Sequence, residues 1–196
     1  MRDPVKTKIN IIKRSSELFN TKGYQATSIS DITHATKLTK GALYGHFGNK
    51  DEMAEAAYDY SVKEITDKLT RVIKDSPTAP AKLKNMAFHY MEYILNPPIK
   101  GGCPVINTSI ESDDSYPLLR SKSVRTIGII RDSIKKILYR GIKEGQISKE
   151  CNVEQFSTKY YAAIMGGIVI SRVEGDIQSY QTVYEELCKE IDQYSI

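Results

Sequence analysis

Residues 28–53, SISDITHATKLTKGALYGHFGNKDEM, contain two short helical phrases separated by a tight break, then the Lys-led start of a third. That layout matches a helix-turn-helix, in which the second short helix enters a DNA major groove. Ser28 or Thr27 can accept a backbone N–H at the start of the first phrase, and Asp31 brings a carboxylate to the positive end of that helix. Ile29, Ile32 and Ala35 then share one apolar face. Thr39 is the N-cap expected for the second phrase, and Gly45 loosens its end. Gly41 lacks a Cβ in the first turn, so backbone there can approach phosphate, while Lys40, Tyr44 and His46 supply donors nearby. Asn49 with Glu52 caps the third helix, whose first position, Lys50, carries a cation.

Charge follows the same division. Residues 1–50 hold nine Lys/Arg against three acids, a net of +6, whereas residues 51–196 hold 19 Lys/Arg and 21 Asp/Glu, a net of −2. A basic head on a slightly acidic body suits an anionic polymer such as duplex DNA. The longest strongly apolar stretch, at 162–170, is nine residues, far below the roughly 18 a membrane span needs. The charged N-terminus lacks a signal-peptide core, so cytoplasm is the expected compartment. Cys103, Cys151 and Cys188 are too scattered for a disulfide scaffold or a metal site, and no metal or cofactor is expected. His34, His46 and His89 lack the carboxylate or cysteine arrangements of an active site, and no nucleophile elbow or phosphate-cradling glycine loop occurs. The sequence does not read as an enzyme.

Beyond residue 50 the spacing is helical throughout, predicting an all-α chain. Tyr58, Val62, Ile65, Leu69 and Val72 step by three and four, so one long helix leads from the head into the body. Ser76-Pro77 and Pro80 break it, and a second segment runs from about Ala81 to Leu95. Further helices are expected after Cys103-Pro104, from Tyr116 to Gly141, and over 152–174 and 177–194, with no strand and no repeat. The Thr108–Ser115 stretch is expected as an exposed polar turn whose acids Glu111, Asp113 and Asp114 could alternatively bind a cationic ligand. Thirteen tyrosines and no tryptophan suit either a partly polar, ligand-holding interior or ordinary packing with hydroxyls reaching water.

The stretch from Ile9 to Met53 resembles the DNA-binding domain of the tetracycline-repressor (TetR) family. Leu18, Phe19, Gly23, Tyr24, Thr27, Ile32, Gly41, Leu43, Tyr44, His46, Phe47 and Lys50 carry the resemblance, while Gly45 and Gly48 depart from larger family residues. The resemblance implies a helix-turn-helix domain over 1–50 and a helical ligand-binding and dimerisation domain over 51–196. Together with the cap and donor pattern it marks Thr27, Ser28, Thr39, Lys40, Gly41, Ala42, Tyr44, His46 and Lys50 as DNA-binding candidates.

It also implies a small-molecule effector enclosed by four body segments. Tyr90, Met91, Tyr93, Ile106, Tyr116, Arg125, Ile129 and Tyr161 are the candidate lining. Arg125 either turns inward to anchor an anionic or carbonyl-bearing ligand, or lies on the surface or pairs with Glu111 or Asp113. The resemblance further implies a homodimer formed by the last two helices. The small residues Ala162, Ala163, Gly166 and Gly167 permit close approach, with Ile168, Tyr184 and Leu187 as apolar contacts, unless Gly166-Gly167 marks a kink.

Three readings follow: a ligand-responsive homodimeric repressor on a near-palindromic operator; a helix-turn-helix regulator without small-molecule control, constitutive or redox-responsive through Cys103 or Cys151; and an enzyme or scaffold on a helical bundle. The capped basic head favours the first two.

Overall fold

The computed structural model describes residues 3–112 and 116–196, which form nine helices: α1 (Pro4–Lys22), α2 (Ile29–Thr36), α3 (Lys40–Tyr44), α4 (Lys50–Asp75), α5 (Ala79–Leu95), α6 (Pro104–Ser112), α7 (Pro117–Lys143), α8 (Val153–Glu174) and α9 (Gln178–Tyr194). The only β pairing among the described residues is an isolated bridge between Ile147 and Ser195. No helix in them is long and apolar enough to cross a membrane.

Helix boundaries follow local capping chemistry. Asp3 accepts from the amides of Val5 and Lys6 ahead of Pro4, and α1 ends at Gly23 with φ +87°. Thr78 and Asn152 cap α5 and α8 through Ala81 N and Gln155 N. Pro80 does not break a helix as its type suggested. It lies in the first turn of α5, where the missing N–H costs nothing, so that helix starts two residues earlier than the spacing predicted.

The described chain forms two compact units, residues 1–65 with 98–124, and 66–97 with 125–196. Helices α4 and α7 run through both. Unit one is built on a core of Ile11, Ile32, Leu43, Phe47 and Met53, with Ile12, Leu18, Phe19 and Leu38 packed around it.

In unit two, α5, α8 and α9 pack together. The phenols of Tyr160 and Tyr180 are fully buried and donate to the carbonyls of Leu83 (2.6 Å) and Ala87 (2.9 Å). Burial raises the pKa of both, so these two tyrosines serve packing, each hydroxyl satisfied by α5 backbone. Gly167 belongs to the same contact. A Cβ there would lie 2.9 Å from Tyr180 Cδ2 and 3.3 Å from Val183 Cγ2.

Gly167 therefore admits α9 of its own chain. Gly167→Leu should destabilise the protomer by about 1–3 kcal/mol through overpacking, read as a lower chemical-denaturation midpoint at protein concentrations spanning any monomer–dimer equilibrium. A midpoint that falls only where the dimer dissociates would return Gly167 to an interface between chains.

Candidate nucleic-acid interface

Ser28 Oγ accepts from Asp31 N–H (3.1 Å) while Asp31 Oδ2 accepts from Ser28 N–H (2.8 Å), closing a capping box at the start of α2. Lys22 Nζ sits 2.7 Å from Asp31 Oδ1, tying the end of α1 to α2. That ammonium, then the Ser28 backbone and hydroxyl, hold the Asp31 carboxyl well below its usual 3.8. The turn into α3 uses Lys37 in the left-handed region (φ +56°) at the C-cap of α2. Thr39 Oγ1 then accepts from Ala42 N at 3.2 Å, and Leu43 is buried in the core.

The opposite side of α3 is open. Lys40 and Gly41 are exposed, a Cβ on Gly41 would meet nothing within 4 Å, and Tyr44 is 39% exposed with Lys40 Nζ 5.9 Å from its ring centroid. Ser28 and Thr39 are exposed, Ala42 and His46 half-buried. Lys40, Tyr44 and Gly41 of α3 thus present cation, phenol and bare backbone together.

Two sequence candidates sit differently. Thr27 is fully buried, and its hydroxyl donates to Gly23 O at 2.6 Å; the β-methyl and hydroxyl close the α1–α2 turn, so the side chain is not available to DNA. Lys50 is half-buried with Nζ 4.2 Å from the Tyr24 ring centroid, and desolvation lowers its pKa against the pull of Glu111 and Asp51. Its charge is committed within the unit.

Tyr24 is the hub that local sequence patterns did not reveal. Its hydroxyl donates to Asp51, its ring packs edge-on to Tyr116 at 4.3 Å, and its N–H donates to Glu111 Oε2 at 2.7 Å. Glu111 Oε1 accepts from Gln25 N at 2.8 Å. So Glu111 lies in the last turn of α6 as an acceptor for the α1–α2 turn, not in an exposed polar loop; Asp113 and Asp114 lie outside the described residues. Asn20 Nδ2 donates to the carbonyls of Lys100 and Gly102, both at 2.8 Å. Asn107 Nδ2 donates to Asn20 Oδ1 (3.0 Å) and Gly101 O (2.8 Å). Asn20 thus bonds residues 80 to 87 positions further along the chain, beyond any helical period.

The other candidates are spread over both units. Tyr116, half-buried, borders a cavity of about 30 Å³ with Tyr24, Asn20 and Glu111, room for little more than a water. Ile106 is half-buried in the same unit. In unit two Tyr90, Tyr93 and Tyr161 are buried, with the Tyr90 and Tyr93 rings 6.4 Å apart, and Met91 is half-buried. Ile129 is 54% exposed and Arg125 is exposed, so the inward anchoring role for Arg125 is corrected: it lies in solvent on α7. Glu111 has both oxygens engaged by backbone, and Asp113, the other acid considered for pairing, is outside the described residues.

Among the dimer candidates, Gly167, Ile168 and Leu187 are buried within the protomer, while Ala163 and Tyr184 are half-buried and Tyr184 packs edge-on to Phe88 at 5.9 Å. α8 instead exposes Val169, Ile170 and Val173, the last by 82%. His89 is half-buried with its pKa lowered by desolvation. Cys103 and Cys151 are buried, and burial raises the Cys151 pKa, the opposite of an activated thiol. Among the described residues no three His, Cys, Asp or Glu could hold a metal ion.

The Asp31 carboxyl has a measurable consequence. Because its pKa is lower folded than unfolded, its contribution is present above the unfolded value and lost as pH falls through the folded one. Asp31→Asn should lower Tm at pH 7, and the gap to the unaltered protein should narrow progressively once acidification passes below the ordinary carboxylate range, about pH 4. A pH-independent gap would assign the loss to packing.

Residues 11–57 match the family model for bacterial regulatory proteins of the tetR family, and residues 79–187 match the tetracyclin repressor-like C-terminal domain. The chain is 21% identical over 174 residues to the HTH-type transcriptional repressor DhaR of Mycobacterium sp. (strain GP1), covering 88% of this chain and 85% of that protein. A TetR transcriptional regulator from Chloroflexus aurantiacus superposes with TM-score 0.95 at 30% identity, over 100% of this chain and 98% of that one. The TetR-family regulator CifR, a cysteine mutant in complex with 26-bp operator DNA, gives TM-score 0.84 at 17% identity over 92% and 94% of the two chains. A reading helix capped by Thr39, matched over both of its parts to one family, makes this chain a member of the TetR family of DNA-binding transcriptional regulators.

Proposed function

We propose that this regulator is a homodimeric repressor that leaves a near-palindromic operator when a small-molecule effector binds its body. Residues 1–50 are the reading head and 51–196 the effector and dimer body. It works where its DNA partner is, in the cytoplasm. Two copies present α3 to successive major-groove faces about 34 Å apart, or a longer in-register equivalent. Lys40, Tyr44, His46, Ser28, Thr39, Ala42 and the Gly41 backbone contact the duplex. Lys50 acts by positioning Tyr24.

The observation that carries effector control is the bonding of α6 to the reading head. Glu111 and Asn107 fix the last turn of α1 and the α1–α2 turn through hydrogen bonds of 2.7–3.0 Å. Any effector that favours a different α6 conformation then loosens the part of the protein that aims α2 and α3. For a hundredfold release the effector must bind the released state more tightly by about 2.7 kcal/mol. DNA binding by CifR supports the operator role, and Val169, Ile170 and Val173 offer an apolar surface for a second copy.

Gel shifts on DNA flanking the gene, at several salt concentrations, test the head. Lys40→Ala should weaken binding on all sequences and reduce the salt slope by roughly one. Lys50→Ala should weaken binding with the slope nearly unchanged, since its cation is held over Tyr24. Equal slope changes for both would put Lys50 on phosphate. Val173→Asp should give a monomer in sedimentation; a dimeric Val173→Asp that still binds a palindrome places the interface elsewhere. Effector control is tested by adding candidate ligands to the same gel shift: a ligand that stabilises the protein and releases the unaltered chain, but no longer releases Glu111→Gln, supports the route through α6.

A further inference from the structure

Unit two carries a second feature that neither the reading head nor the aromatic candidates use. A groove of about 680 Å³ opens between the end of α4, the start of α5 and the last turns of α7, within the size range of small-molecule sites. Lys74, Lys82, Lys136 and Arg140 line it against one acid, Glu144. The concentration is local, because residues 51–196 as a whole carry a net charge of −2.

The acid does not neutralise the groove evenly. Glu144 Oε1 accepts from Arg140 Nε at 2.7 Å and its Oε2 accepts from Gln146 Nε2 at 3.2 Å, so Arg140 and Glu144 satisfy each other. Lys82 donates to the carbonyl of Ser76, where it meets the negative end of α4 and keeps two N–H groups to spare. Lys74 and Lys136 make no ion pair among the described residues. Three lysines therefore line one groove with no carboxylate paired to them among the described residues.

Its walls are fixed. Gly141 brings α7 against α5 so closely that a Cβ would lie 2.6 Å from Ala79 Cβ, and Gln146 Oε1 accepts from Ala79 N at 2.7 Å. Separate lysines around a rigid concavity are point charges on flexible stems, the pattern that suits phosphate oxygens spread over several groups better than one planar carboxylate.

We propose that this groove binds a small molecule carrying two or more phosphate groups. The proposal stands whether or not binding there releases DNA. Calorimetric titration of the full-length protein with inorganic tripolyphosphate and with a nucleoside triphosphate, at moderate salt, tests it and separates a bare polyphosphate from a nucleotide. Because the basic head also attracts polyanions, Lys40→Glu serves as the control. Saturable binding by the unaltered protein should survive Lys40→Glu and fall at least tenfold in Lys74→Glu/Lys136→Glu. Lys74→Met/Lys136→Met, which adds no repulsion, should fall in the same direction with unchanged Tm in the absence of ligand. Binding that Lys40→Glu abolishes, binding that both groove variants retain, or no saturable binding to the unaltered protein overturns the proposal. A gel shift with the bound anion then reports separately on the effector reading: binding without release leaves the groove assigned and removes it as the effector site.

Discussion

A five-residue helix closes too few hydrogen bonds to hold itself, so the orientation of α3 depends on what receives it. Leu43 is its anchor, fully buried against Ile11, Ile32, Phe47 and Met53, and Thr39 satisfies the amide of Ala42 at its start. Lys40, Gly41 and Tyr44 are thereby left for the surface, with Ala42 half-buried. The same division of labour makes the tip of the head readable: one residue packs, and Lys40, Gly41 and Tyr44 stay outside.

The α1–α2 turn is held from outside its own sequence. Its amides at Tyr24 and Gln25 point at Glu111, its threonine closes inward on Gly23, and its tyrosine lies between Asp51, Lys50 and Tyr116. A carboxylate that accepts two backbone N–H groups is costly to displace, because the amides lose their acceptor and the charge loses its donors. That asymmetry ties α6 firmly to the α1–α2 turn.

Unit two solves a different problem. Tyrosine hydroxyls must be satisfied when buried, and those of Tyr160 and Tyr180 are satisfied on the second lone pairs of α5 carbonyls. The glycine at 167 lets the Tyr180 ring sit against α8. Polar and small residues that invited a functional reading are here parts of one packing arrangement.

Local signals settled much of the chain. The caps at Ser28, Thr39 and Asn49, the three-and-four spacing of the long helices, and the block from Gly41 to Lys50 are short-range features, and short-range hydrogen bonding decides them. Which side of a small residue faces its own chain is a tertiary matter: Gly167, Ile168 and Leu187 have the right types for an interface between copies and are buried within one protomer instead. Arg125 sits among isoleucines in sequence, yet helical geometry turns it to solvent, and Lys50 finds an aromatic face that begins 26 residues earlier. Glu111 reads as loop material because the amides that need it are 86 and 87 residues away. Sequence by itself determined the run of helices and the capped helix-turn-helix, since these follow from neighbours along the chain; only the tertiary structure decided which polar groups bond across the chain, because that depends on what packing brings within 3 Å.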